Sequence, residues 1–122
     1  ASNSAAALRC GSFGLDLVRP GIALYGGLAG PGTQGDAVVA VRARLALVRT
    51  VQAGATLGYG ATYAARRAER WGTVTIGYGD GIPRALAAAG GEALVRGVRV
   101  PIIGRISMDV LTLALSALPA VE

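Results

Sequence analysis

The side chains best placed for chemistry fall in a few short stretches. Ser4 stands just ahead of Ala5-Ala6-Ala7-Leu8-Arg9, and Arg19 precedes Pro20-Gly21. Tyr59 lies in Gly58-Tyr59-Gly60-Ala61-Thr62-Tyr63, Tyr78 and Asp80 in Ile76-Gly77-Tyr78-Gly79-Asp80-Gly81, and Met108 and Asp109 in Gly104-Arg105-Ile106-Ser107-Met108-Asp109. All 12 basic residues are arginine, and histidine is absent. Imidazole bases, His-rich metal sites and lysine-based covalent catalysis therefore cannot be completed by this chain alone, which leaves Tyr, Asp, Glu, Ser and the single Cys10. A phenol, with an unperturbed pKa of about 10, needs assistance to exchange protons near neutrality. Read from the residues alone, plainer roles stay open. Ser4 is also a helix cap, Pro20-Gly21 a turn, Tyr59 an aromatic packed over a strand, Tyr78 and Asp80 turn formers, and Met108 a core filler.

The net charge of +5 invites a nucleic-acid reading. The arginines, however, are spread from Arg9 to Arg105, with only Arg66, Arg67 and Arg70 close together, and six aromatic residues offer few stacking platforms. A solvated positive surface with no nucleic-acid partner is the expectation. A lone cysteine supports neither a disulfide framework nor a thiolate metal cluster, which favours the cytoplasm. The apolar stretch from Val110 to Val121 is too short to span a bilayer, so no membrane partner is expected. The chain starts at Ala1 without an initiator Met or a signal peptide, as a piece of something longer would.

Periodicity supplies the elements that must hold these residues. Ser2, Asn3 and Ser4 cap a short helix that ends before Gly11, with a potential anion site at its N-terminus. Leu15 to Arg19 reads as a strand stopped by Pro20-Gly21, and Gly26 to Gly35 as a glycine- and proline-rich linker. From Ala37 to Gln52, Val39, Val41, Ala43, Leu45 and Leu47 alternate with Arg42 and Arg44, which predicts one long half-buried strand. Trp71 to Gly77 alternates in the same way. Pro83 to Ala89 fits a short helix, and Arg96-Gly97 a tight turn between Ala93-Leu94-Val95 and Val98 to Ile103. A final strand is expected from Val110 to Leu115. The fold class is mainly β, about five antiparallel strands preceded by a helix and turn from another structure.

Taken in order, Asn3-Ser4-Ala5, Val18-Arg19-Pro20-Gly21-Ile22-Ala23-Leu24-Tyr25-Gly26 and the three tyrosine- and methionine-bearing stretches resemble the alanine racemases over nearly the whole chain. That family interconverts L- and D-alanine on pyridoxal 5'-phosphate, with the product D-alanine destined for peptidoglycan. The resemblance implies residues 1–26 as the end of a cofactor-binding (β/α)8 barrel, 27–36 as a linker and 37–122 as a C-terminal antiparallel β domain. It makes Ser4, Gly21 and Ile22 ligands of the cofactor phosphate, in keeping with phosphate sites at the last loops of such barrels. Arg19 meets the pyridine nitrogen, where a group that can only donate keeps that nitrogen unprotonated and weakens the electron sink.

By the same resemblance Tyr59 is one of two acid/base groups on opposite faces of the α-carbon, the other being the cofactor lysine. Tyr78 lies near the substrate carboxylate, Met108 meets it through its backbone N–H, and Asp109 orients from behind. Ser107 stands where relatives often have cysteine, and Gly79 where alanine is common. A homodimer with the active site shared between subunits follows, because the β domain faces the partner's barrel in this family. The cofactor lysine and a later phosphate-binding tyrosine lie outside the sequence, so the chain alone is expected to be inactive. Substrates could extend to serine or basic amino acids. The competing reading is a non-catalytic β module for oligomerisation.

Overall fold

The computed structural model describes residues 1–9, 16–32 and 35–119. The chain forms two compact units, Ala1–Arg42 and Ala43–Glu122.

In the first unit, Ser2–Asn3 (β1) pairs in parallel with Val18–Arg19 (β2), with Asn3 opposite Arg19. Between them Ser4–Arg9 forms helix α1, which starts one residue earlier than the alanine run suggested. Asn3 is its cap: the Ala6 N–H donates to Asn3 Oδ1 at 3.0 Å, satisfying one of the first-turn donors that a helix leaves unpaired. The expected end of this helix before Gly11, the lone Cys10 and the start of the next strand at Leu15 lie outside the described residues. A 3-10 helix, Ile22–Tyr25, follows Pro20-Gly21 and is closed by Gly26 in the left-handed region at φ 74°.

The second unit is a five-stranded antiparallel sheet in the order β3-β6-β9-β8-β7, with a separate two-stranded hairpin, β4-β5. The strands are Leu45–Val51 (β3), Thr56–Leu57 (β4), Tyr63–Ala64 (β5), Glu69–Val74 (β6), Glu92–Val95 (β7), Val98–Ile103 (β8) and Leu111–Ala114 (β9). Val100, Ile106, Leu113 and Leu115 form the centre of one core cluster, and Trp71, Ala65 and Ile103 form a second. Burying a side chain of this size contributes about 1.5–3 kcal/mol, so these clusters are the main source of stability. Gly72 sits between strands of side chains: a Cβ there would lie 2.6 Å from both Leu45 Cδ1 and Leu115 Cδ1.

The β7-β8 hairpin turns at Arg96-Gly97 as expected, with φ of 51° and 81°. The long strand expected from Ala37 to Gln52 is corrected. Residues 37–44 form no strand, and Val39 and Val41 are exposed. The register of β3 against β6 shifts between Leu45 and Leu47, so alternation fails there and Leu47 faces solvent. The expected strand Trp71 to Gly77 stops at Val74, and the expected helix from Pro83 shrinks to a single 3-10 turn, Arg84–Leu86. Among the described residues no helix is long and apolar enough to cross a membrane.

Candidate functional site

In the first unit the parallel pair β1-β2 brings Ser4 and Arg19 to one place, because Ser4 follows Asn3 and Asn3 is in register with Arg19. Ser4 is buried, and its Oγ accepts the Gly21 N–H at 2.9 Å and the Ala23 N–H at 3.3 Å. A serine hydroxyl has two lone pairs and one proton, so with both lone pairs engaged the Ser4 hydroxyl is left to donate. Gly21 was expected to offer its N–H to an anion; instead that N–H is given to Ser4. Ile22 begins the 3-10 helix, a position with no intrahelical acceptor for its N–H. Ser4, Gly21 and Ile22 line an open pocket of about 360 Å³ together with Asn3 and Arg19. Arg19 is exposed, and among the described residues no carboxylate pairs with it. The pocket thus presents donors: a hydroxyl, a backbone N–H and a permanently charged guanidinium. That set suits an anion and a neutral acceptor, not a metal ion.

In the second unit the segment 104–109 draws the other candidate residues together. Tyr78 donates its N–H to the Ser107 carbonyl at 3.0 Å, and Gly79 donates to the Met108 carbonyl at 2.9 Å. Gly77 makes this docking possible, because a Cβ on it would collide with the carbonyl oxygens of Ser107 and Met108. Asp80 closes the turn by accepting the Gly77 N–H at 2.9 Å, so its role is structural. Ser107 fixes the other partner: its Oγ donates to the Val110 carbonyl at 3.0 Å and accepts the Val110 N–H at 3.1 Å.

Tyr59 begins a 3-10 turn, Tyr59–Ala61, in the connection of the β4-β5 hairpin. The same segment meets it, since a Cβ on Gly60 would lie 3.5 Å from Nη1 of Arg105 and one on Gly58 3.6 Å from the Arg105 carbonyl. Tyr59, Tyr78 and Met108 are exposed at 71%, 42% and 56%, and Asp109 is exposed beside Met108. The Tyr78 turn is hydrogen-bonded to the segment that carries Met108, the Tyr59 turn lies against Arg105 of the same segment, and all three side chains face solvent.

Sequence reasoning did not single out Arg105 or Arg84. The Arg84 guanidinium carbon lies 5.1 Å from the Tyr78 ring centroid, within cation–π range. Arg105 belongs to the Gly104–Asp109 stretch, but its proximity to Gly60 depends on a hairpin docking that no local pattern records.

The family model described as "Alanine racemase, C-terminal domain" matches residues 38–122. The chain belongs to the alanine racemase family. It is 45% identical over 121 residues to the alanine racemase of Sorangium cellulosum, covering 98% of this chain and 32% of that protein. It is also 45% identical over 105 residues to a catabolic alanine racemase of Rhizobium johnstonii, covering 84% of this chain and 28% of that one. Among solved structures, the alanine racemase of Bartonella henselae with covalently bound pyridoxal phosphate matches at a TM-score of 0.82 and 38% identity, over 98% of this chain and 33% of that chain. The chain thus spans about a third of the length of the alanine racemases it matches. The expected fold class is found: an antiparallel alanine racemase C-terminal domain, preceded by a parallel β1-β2 pair consistent with the barrel segment of these relatives.

Proposed function

We propose that this chain is the end of a racemase barrel, residues 1–26, joined by residues 27–36 to its C-terminal β domain, 37–122, and that the whole protein interconverts L- and D-alanine. The observation that carries this reading is that the Tyr59 and Tyr78 turns both lie against the single segment 104–109, which carries Met108. A racemase must remove a proton from one face of an α-carbon and return it on the other while holding the carboxylate still. Tyr59 is the acid/base group on one face. Met108 offers its N–H to the carboxylate, Tyr78 lies beside it, and Asp109 orients that loop.

The donor pocket of the first unit fits pyridoxal 5'-phosphate. Ser4 would donate its hydroxyl to the phosphate and Ile22 its N–H, with Gly21 between them in the pocket lining. Arg19 suits the pyridine nitrogen, to which a guanidinium can only donate. When bound, the cofactor supplies the electron-withdrawing system that acidifies the α-carbon.

The chain has no lysine, so the second acid/base group comes from a preceding barrel. Tyr59 and Met108 complete the site of a second subunit, which makes the active form a homodimer. The protein works in the cytoplasm, where D-alanine is made for peptidoglycan. The same exposed turns would also suit a β module that only oligomerises.

The test compares D-alanine formation from L-alanine, with added pyridoxal phosphate, by this chain and by the product of its full reading frame. Activity in the longer protein only is expected. Inactivity of both transfers the weight to the oligomerisation module, and clear turnover by the chain alone overturns the need for a lysine from elsewhere.

A further inference from the structure

A second group of polar side chains lies where the β4-β5 hairpin meets β6. Glu69 opens β6 and gathers three donors. Its Oε2 accepts the Tyr63 hydroxyl at 2.9 Å and the Trp71 Nε1–H at 2.8 Å, and its Oε1 accepts the Arg66 backbone N–H at 3.3 Å. Trp71 is 1% exposed, and the Tyr63 ring meets it edge-on at 5.8 Å and 70°. The charged groups around the carboxylate are Arg66 and Arg67 in the turn before β6, with Arg49 reaching from β3 to within 5.4 Å of the Trp71 ring centroid.

The three donors come from the hairpin, the turn behind it and the floor beneath it. Only two residue pairs close the hairpin, Thr56 with Ala64 and Leu57 with Tyr63. A ladder that short does not hold a shape by itself in water. Its order comes from packing: Leu57 and Tyr63 rest on the cluster of Trp71, Ala65 and Ile103. The connection carrying Tyr59 leaves directly from this pair, so the placement of its phenol depends on how Tyr63 is held.

We infer that Glu69 is a positioning residue for Tyr59, fixing the hairpin that carries it by tying Tyr63 to Trp71. The inference rests on the racemase reading for its catalytic meaning and on the hydrogen bonds for its structural one. Glutamine at this position has a single acceptor oxygen and cannot serve all three donors. Phenylalanine at position 63 keeps the ring and loses the tie.

The experiment has two arms, with Glu69→Gln and Tyr63→Phe in each. In this chain, amide hydrogen exchange across residues 57–63 should rise in both variants while exchange in β6 and β9 stays at the wild-type level. Unchanged exchange at 57–63, or a rise throughout the sheet, overturns the structural tie. In the full-length protein with pyridoxal phosphate, racemisation should fall roughly tenfold to a hundredfold, the range expected when a reacting group is displaced by up to about 1 Å. Exchange of the α-hydrogen of one alanine enantiomer with deuterated solvent, which needs only the opposite acid/base group, should persist. An equal fall in racemisation and exchange, or no fall in either, overturns the positioning role. If the wild-type full-length protein does not racemise alanine, the racemase reading fails, and the amide-exchange arm still decides whether Glu69 holds the turn.

Discussion

Gly77 lies so close to Met108 that the Met108 carbonyl oxygen occupies the space a side chain on residue 77 would need. The turn bearing Tyr78 and the segment bearing Met108 are therefore one unit, joined by the Tyr78 N–H to Ser107 and the Gly79 N–H to Met108. Substituting Gly77→Ala forces backbone, not a flexible side-chain end, to move. The expected destabilisation is about 1–3 kcal/mol, the usual range for overpacking a filled space. Denaturant unfolding of the chain measures it, and wild-type stability in the variant would show that the docking is loose. In the full-length protein the same variant should raise KM for alanine more than it lowers kcat, because Met108 and Tyr78 are assigned to the carboxylate.

Tyr59→Phe separates proton transfer from folding. The phenol is 71% exposed and no hydrogen bond within the chain uses its hydroxyl among the described residues, so the chain's stability should change little. Racemisation by the full-length protein should fall by about 10²-fold or more in both directions, the contribution expected of a positioned acid or base. Both directions fall together because the two enantiomers have equal free energy. Solvent exchange at the α-carbon of one enantiomer should survive. Exchange lost equally for both enantiomers would remove Tyr59 from the two-sided assignment.

Ser4→Ala tests the donor pocket. It removes the acceptor of the Gly21 and Ala23 N–H groups, and with it the hydroxyl proposed to meet the phosphate. A hydrogen bond to a charged group is worth about 1.5–3 kcal/mol, so affinity for pyridoxal phosphate in the full-length protein should drop roughly tenfold to a hundredfold. Titration followed by cofactor absorbance reads it. Unchanged affinity would confine Ser4 to shaping the turn.

Turn chemistry was the most legible part of the fold. Arg96-Gly97 announced its hairpin because the positive φ required there is a property of two residues and their neighbours. Strand length was less legible. The alternation from Val39 to Leu47 describes a chain able to pair on one face, but whether a partner lies alongside is not written locally, and residues 37–44 find none in a described strand. Likewise a bulge at Leu45/Leu47 depends on the register of β6. The candidate site turns could be singled out because their ordered motifs resemble those of alanine racemases. The supports beneath them could not: Glu69 reaches Tyr63 and Trp71 only once β5 and β6 are laid together, and Arg105 meets Gly60 only across a hairpin and a strand end.

The Glu69 cluster also predicts how stability depends on pH at both ends of the scale. The Glu69 carboxyl is held below its ordinary value of 4.5, chiefly by the Trp71 Nε1–H; burial opposes this, and Tyr63, the Arg66 N–H and the Arg67 charge add to the lowering. A carboxylate favoured in the folded state stabilises above its unfolded pKa, and that contribution is lost as the pH falls through the lower folded value. Tyr63 is raised above 10.0, first by burial and then by its hydrogen bond to Glu69. Its neutral form is the one the fold favours, so its contribution is complete below about pH 10 and is lost as the pH rises through the folded value. Stability of the wild-type chain measured by urea midpoint should decline below pH 4.5 and again above pH 10. Glu69→Gln should flatten the acid decline and soften the alkaline one, since it removes the charge that opposes Tyr63 ionisation. Tyr63→Phe should flatten the alkaline limb and soften the acid one, since it removes one of the hydrogen bonds that favour the Glu69 carboxylate. Emission from Trp71, the single tryptophan, should follow the acid transition in the wild-type chain and stay constant in Glu69→Gln. An acid limb identical in wild type and Glu69→Gln would mean that the carboxylate is not what Tyr63 and Trp71 hold in solution.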